Sequence, residues 1–166
     1  MSSRLLYDTR DNSILRCQPE PSGSAELPSI EALYKSARIA KNDKQYMNSI
    51  IINENIITHE AQERLRIVEL AGEIQAKEKP KLTIVPNTKE LDTAVNNILT
   101  LTLEVTNTLS IDNITEVNMN INDVSFSISI NNNTGSKDIE LTEPDTYIIS
   151  CSEDRFISQK VKVEVI

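Results

Sequence analysis

Few residues in this 166-residue chain have types that could carry chemistry: one histidine, His59, two cysteines, Cys17 and Cys151, and a late group of carboxylates. One imidazole cannot supply a multi-histidine metal site. A Ser-His-Asp triad would have to be built on His59, which lies in a polar stretch at the expected start of a helix. No Cys-x-x-Cys pair, Gly-rich phosphate loop, His-Glu-x-x-His or acidic calcium loop occurs. Glu140, Glu143, Asp145, Glu153 and Asp154 form the densest acidic group. Acid–base work would require these carboxylates to sit in opposed, partly buried surroundings that drive their pKa values apart. Their places at strand ends and in loops read instead as a solvated face, with a weak cation site as the alternative. Asn113-Ile114-Thr115 and Asn132-Asn133-Thr134 match glycosylation acceptors but would need a secretory route. The expectation is a protein that is not an enzyme and uses no cofactor or metal.

Charge narrows the partners. The formal total is −8, distributed as −1 over residues 1–80 and −7 over 81–166. An acidic surface repels phosphate backbones and anionic lipid headgroups, so neither nucleic acid nor a membrane is expected as a partner. No apolar run approaches the length of a bilayer-spanning helix. Tyr7 and Asp8 interrupt the apolar start, so residues 1–8 do not read as a secretory signal. Cys17 and Cys151 are too few for a disulfide framework and read as buried small hydrophobes.

The elements that must position these residues differ between the halves. Residues 4–8 and 13–17 flank the turn-forming Thr9-Arg10-Asp11-Asn12 and read as a hairpin. Pro19, Pro21 and Ser22-Gly23-Ser24 read as a linker or extended arm. Ser29 is placed to cap a short helix whose apolar face is Ile30, Leu33, Tyr34 and Ala37. Residues 47–57, rich in Ile and Asn, suit a strand or sheet-edge segment. A long helix is expected over about 59–78, capped by Thr58 and supported by Glu60/Arg64 and Glu73/Lys77 at i, i+4. Its apolar stripe would comprise Leu65, Val68, Ala71 and Gly72, with Ile67, Leu70 and Ile74 alongside. Such a stripe packs on its own domain or on a neighbouring protein.

The charged, proline-containing stretch Lys77–Lys81 marks a boundary, giving regions 1–79 and 81–166. Beyond it the apolar period becomes two. Segments at 82–85, 98–105, 116–121, 124–130, 138–141, 147–151 and 161–165 read as seven short strands of an antiparallel sandwich. The expected fold class is therefore mixed, an N-terminal hairpin plus helices followed by an all-β sandwich.

The approach Glu143-Pro144-Asp145-Thr146-Tyr147 to Cys151 resembles the corner before the penultimate strands of immunoglobulin-like domains. With Tyr147 four residues before Cys151 and no tryptophan, it is similar to bacterial and phage modules of that kind rather than to antibody domains. The first half, a hairpin over Leu6–Leu15 with a Pro-rich arm and a long helix, resembles small accessory structural proteins of tailed phages and phage-tail-like particles. The resemblance implies a virion component assembled in the bacterial cytoplasm, at the tail or baseplate first and as a capsid or neck decoration second. It implies docking through Leu5, Leu6, Tyr7, Ile14 and Leu15 of the hairpin and Leu65, Ile67, Val68, Leu70 and Ile74 of the stripe. The partners would be neighbouring particle proteins and copies of the chain, with a weak cell-surface glycan contact through the acidic domain. The rival expectation is a soluble carbohydrate- or cell-surface-binding module, for which the second half offers only Phe126, Tyr147 and Phe156 as aromatic platforms.

Overall fold

The computed structural model describes residues 2–21 and 26–166, so the expected Ser22-Gly23-Ser24 linker lies outside the described residues. The chain divides into two compact units, residues 1–78 and 79–166.

The first unit is built on a three-stranded antiparallel sheet. β1 (Ser3–Asp8) is central, flanked by β2 (Ile14–Pro19) and β3 (Met47–Ile52). Successive β1 side chains point to opposite faces. Leu5, paired with Cys17 and Ile50, and Tyr7 turn one way; Leu6, beside Ser49, turns the other. Both faces are covered. On the Leu6 side lies α1 (Ile30–Ser36), with Ser29 accepting the Ala32 N–H at 3.2 Å and Leu33 packing on Leu6 and Met47. On the Leu5 side lie α2 (Thr58–Arg64) and a hairpin of β4 (Leu65–Leu70) and β5 (Glu73–Glu78). Ile56, Ala61, Leu65 and Ile67 close that core over Leu5, Tyr7, Ile14 and Cys17. Pro19 ends β2 opposite Ser3 and belongs to the sheet rather than to an arm.

The expected mixed fold with a long helix over 59–78 is overturned. The chain is mostly β, with half its residues in strands, and α1 and α2 are each only two turns long. The helix stops at Arg64. From Leu65 the buried positions Leu65 and Ile67 alternate with Arg66, and Ile67-Val68 are β-branched, which suits a pleated surface. Ala71 (φ 53°) and Gly72 (φ 82°) then form a two-residue turn with both residues left-handed, as a tight hairpin needs. Glu60/Arg64 is a helical pair at 2.8 Å, whereas Glu73 and Lys77 lie on β5.

The second unit contains β6 (Lys81–Pro86), β7 (Glu90–Leu91), β8 (Ile98–Thr106), β9 (Glu116–Ile121), β10 (Val124–Ser129), β11 (Thr134–Glu140), β12 (Asp145–Cys151), β13 (Ile157–Ser158) and β14 (Val161–Val165). They form two sheets, ordered β10-β9-β12-β14-β7 and β11-β8-β6-β13. Strict alternation builds the core between them: Leu99, Leu101, Leu103 and Val105 of β8 are buried against Val117, Met119 and Ile121 of β9. This differs from the expected antiparallel immunoglobulin-like sandwich. Each sheet is closed at one edge by a two-residue parallel pairing, β7 on β14 and β13 on β6. The expected tyrosine corner and seven-strand count do not define this arrangement, and the immunoglobulin-like assignment is not retained. The Tyr147 hydroxyl does donate to the Glu143 carbonyl, at 3.1 Å.

Candidate functional site

The chemistry-bearing residues do not converge. His59 is exposed and faces Glu63, Nε2 to Oε1 3.1 Å. Glu140 accepts from Asn97 at 2.7 Å. Glu153 receives the Asn118 N–H and pairs with Arg155. Among the described residues no three His, Cys, Asp or Glu side chains gather where a cation could bind. Both cysteines are free thiols; burial raises the Cys17 pKa to about 11 and pushes Cys151 upward as well. A thiol so held stays protonated and is a poor nucleophile. Of the three aromatic rings in the second unit, Phe156 is buried, and Phe126 and Tyr147 are packed against the core.

The sheet edges of the first unit carry more information. A three-stranded sheet has two outer strands, and each presents unpaired backbone groups unless something covers them. The β2 edge is covered by α2. The Thr58 hydroxyl accepts the Cys17 N–H and donates to the Cys17 carbonyl, both at 3.0 Å, and the Gln62 amide donates to the Ile14 carbonyl at 2.7 Å. Thr58 was expected to cap the helix; it is instead its first residue and serves as a strand edge's partner.

Among the described residues no helix covers the β3 edge, where only the Asn48 side chain accepts the Ser49 N–H, at 2.8 Å; the edge lies beside β5, one strand of the hairpin. The two belong to separate sheets, so neither completes the other's ladder. Between them runs a groove of about 440 Å³, lined by Ile50 to Glu54 on one side and by Leu65 and Ile74 to Lys77 on the other. Ile51 is 55% exposed and Ile74 42% exposed along it. Arg64 fastens one end: Nη2 lies 2.9 Å from Glu78 and 3.6 Å from Glu54, and Nη1 2.8 Å from Glu60. The hydrogen bonds to Glu78 and Glu60 raise its already high pKa, so the clamp is charged at every physiological pH.

The structure places the sequence-expected docking residues mostly inside the unit. Leu5, Leu6, Tyr7, Ile14, Leu65, Ile67 and Val68 are buried, Leu15 and Leu70 are half-buried, and Ile74 alone is well exposed. Leu5, Leu6, Tyr7, Ile14, Leu15, Leu65 and Ile67 serve the unit's own two cores. Leu65 and Ile74 do line the groove, whereas Ile51 is not among the expected docking residues and Lys77 is expected only as a helical partner of Glu73. The available signal was the charge-free run Met47–Ile52, which has none of the lysines or prolines that usually protect an edge.

The chain matches no protein-family model, and no curated protein is similar to it in sequence. Among the described residues, no helix is long and apolar enough to cross a membrane.

Proposed function

We propose that this protein is a non-enzymatic structural component of a phage or phage-tail-like particle, attached through its first unit and carrying its acidic second unit outward. The observation that supports attachment is the asymmetry of the first sheet, whose β2 edge is blunted by Thr58 and Gln62 while, among the described residues, the β3 edge is capped only by the Asn48 side chain on the Ser49 N–H and lies beside exposed Ile51 and Ile74. Soluble proteins that do not add strands usually protect such edges. The dispersed titratable groups support a role in assembly rather than in catalysis. The net charge of −7 on residues 81–166 favours a solvated, displayed domain. A tail or baseplate position is the first choice and a capsid or neck position the second.

Gradient sedimentation of the full chain from the cells that make it tests this reading. The expected outcome is co-sedimentation with large particles at a fixed stoichiometry, released by denaturant. Free, monomeric protein at the top of the gradient while such particles are present would reject it.

A further inference from the structure

We infer that the groove between β3 and β5 is the docking site for one extended strand from a neighbouring protein, apolar at alternate positions and carrying a carboxylate that meets Lys77. The inference rests on the assembly reading above and specifies its contact.

The backbone provides the first argument. β1 uses one side of β3, and the other side faces the groove, where no described strand pairs with it. An added strand at the usual spacing of about 4.8 Å would satisfy those groups, displacing the exposed Asn48 side chain from the Ser49 N–H, as in other cases of strand addition to a free edge. The β2 edge cannot take the same strand, because Thr58 and Gln62 already bind its outward groups.

Side-chain chemistry gives the second argument. Alternation along β3 turns Ile50 and Ile52 toward the core that includes Leu65 and Ala76, and leaves Ile51 on the other side. A strand seated here would place every second residue near these aliphatic groups, which selects branched apolar side chains. Proline is excluded wherever the strand must donate.

Charge gives the third argument. The groove walls carry one acid and one base. Glu54 lies within reach of Arg64. Lys77 is half-buried and, among the described residues, its ammonium makes neither an ion pair nor a hydrogen bond. An unmatched cation in a chain with 25 acidic residues points to a carboxylate on the incoming strand. The occupant is therefore a lone strand from another protein. A second copy pairing through its own β3 would offer Met47–Ile52, a strand with no carboxylate to meet Lys77.

The test uses the full chain and fluorescent peptides of about ten residues, alternating valine and threonine. One peptide ends in two glutamates and the other in two lysines, and anisotropy is measured at low and high salt. The glutamate peptide should bind saturably and at least about tenfold more tightly than the lysine peptide, with the gap narrowing in salt. Lys77→Glu should reverse that preference, an outcome that loss of folding cannot produce. Ile51→Lys, at an exposed side chain, should weaken both peptides about tenfold by placing a charge on the edge. Amide exchange should slow at residues 48–52 and stay unchanged at 14–19. Absence of saturable binding, or equal binding by wild type, Ile51→Lys and Lys77→Glu, overturns the inference. If both variants co-sediment with particles as well as wild type does, the groove is rejected while attachment to a particle stands; if wild type fails to co-sediment, attachment itself is rejected.

Discussion

Asp8 shows how one side chain can hold a loop that composition alone marks only as a turn. Its carboxylate is buried at the end of β1 and takes a bidentate contact from Arg10, with Nε 2.9 and 3.1 Å from the two oxygens, plus the Arg10 backbone N–H at 2.9 Å. Arg10 in turn lies over the Tyr46 ring at 4.7 Å, so the β1–β2 turn is tied to the approach to β3. The Arg10 side-chain bonds hold the Asp8 pKa below its ordinary 3.8. A carboxylate depressed on folding contributes stability that is fully present above its unfolded pKa and is lost as pH falls through the folded one. The expected outcome is that the wild-type melting temperature drops as pH falls from about 4, and that Asp8→Asn is less stable at neutral pH with a shallower acid decline. Parallel wild-type and variant curves below pH 4 would show that this pair contributes nothing.

At the scale of elements, the β4–β5 hairpin marks where local pattern was legible and where it misled. The β1–β2 turn, the α1 cap at Ser29 and the long alternations of β8 and β9 were readable, because each is set by neighbours within a few residues. The stretch 59–78 satisfied a helical spacing and a strand spacing at once. Leu65, Val68 and Gly72 fit the first; Leu65 and Ile67 on one face, with Arg66 opposite, fit the second. What decided between them is nonlocal: Leu65, Ile67 and Ala76 lie on the sheet face bearing Leu5, Tyr7 and Ile50, which rewards a flat hairpin. Gly72 was the available cue, since a left-handed glycine ends a ladder cleanly and weakens a helix interior. Residues 47–57 do suit a sheet edge, but which of the two edges is covered was not legible, because the cover that Thr58 gives β2 is made across 41 positions. Ala71 leaves a measurable mark, for at φ 53° an L-alanine bears about 1–2 kcal/mol of steric cost. Ala71→Asn should therefore raise stability by up to about 1 kcal/mol in thermal melts, asparagine being suited to that position of the turn. A fall would mean that the methyl group packs against something the turn requires.

For the whole molecule, the notable property is that each unit has interior clusters of its own. Leu5 and Leu6 head the two clusters of the first, and Leu99, Leu101 and Leu103 centre the second. Leu101→Ala should cost about 2–5 kcal/mol, because it empties a fully enclosed site between two sheets. For a unit of this size that corresponds to a melting shift of roughly 10 °C or more. Hydrogen exchange then reads the coupling: amides of β8 and β9 should exchange faster while those of β1 and β2 keep their rates. Equal acceleration throughout would show a single cooperative body.

The unequal edges of the first sheet also set a valence. A sheet open on both sides can pass strands from molecule to molecule without end, which is how fibrils propagate. Here α2 seals one side through Thr58 and Gln62, so a strand that pairs with β3 finds no outlet on β2. The first sheet of each copy would accept one strand and stop, giving a one-to-one count at this sheet with whatever donates it. Incorporation would then be limited by the number of donors, and an excess of this chain would remain unpolymerised.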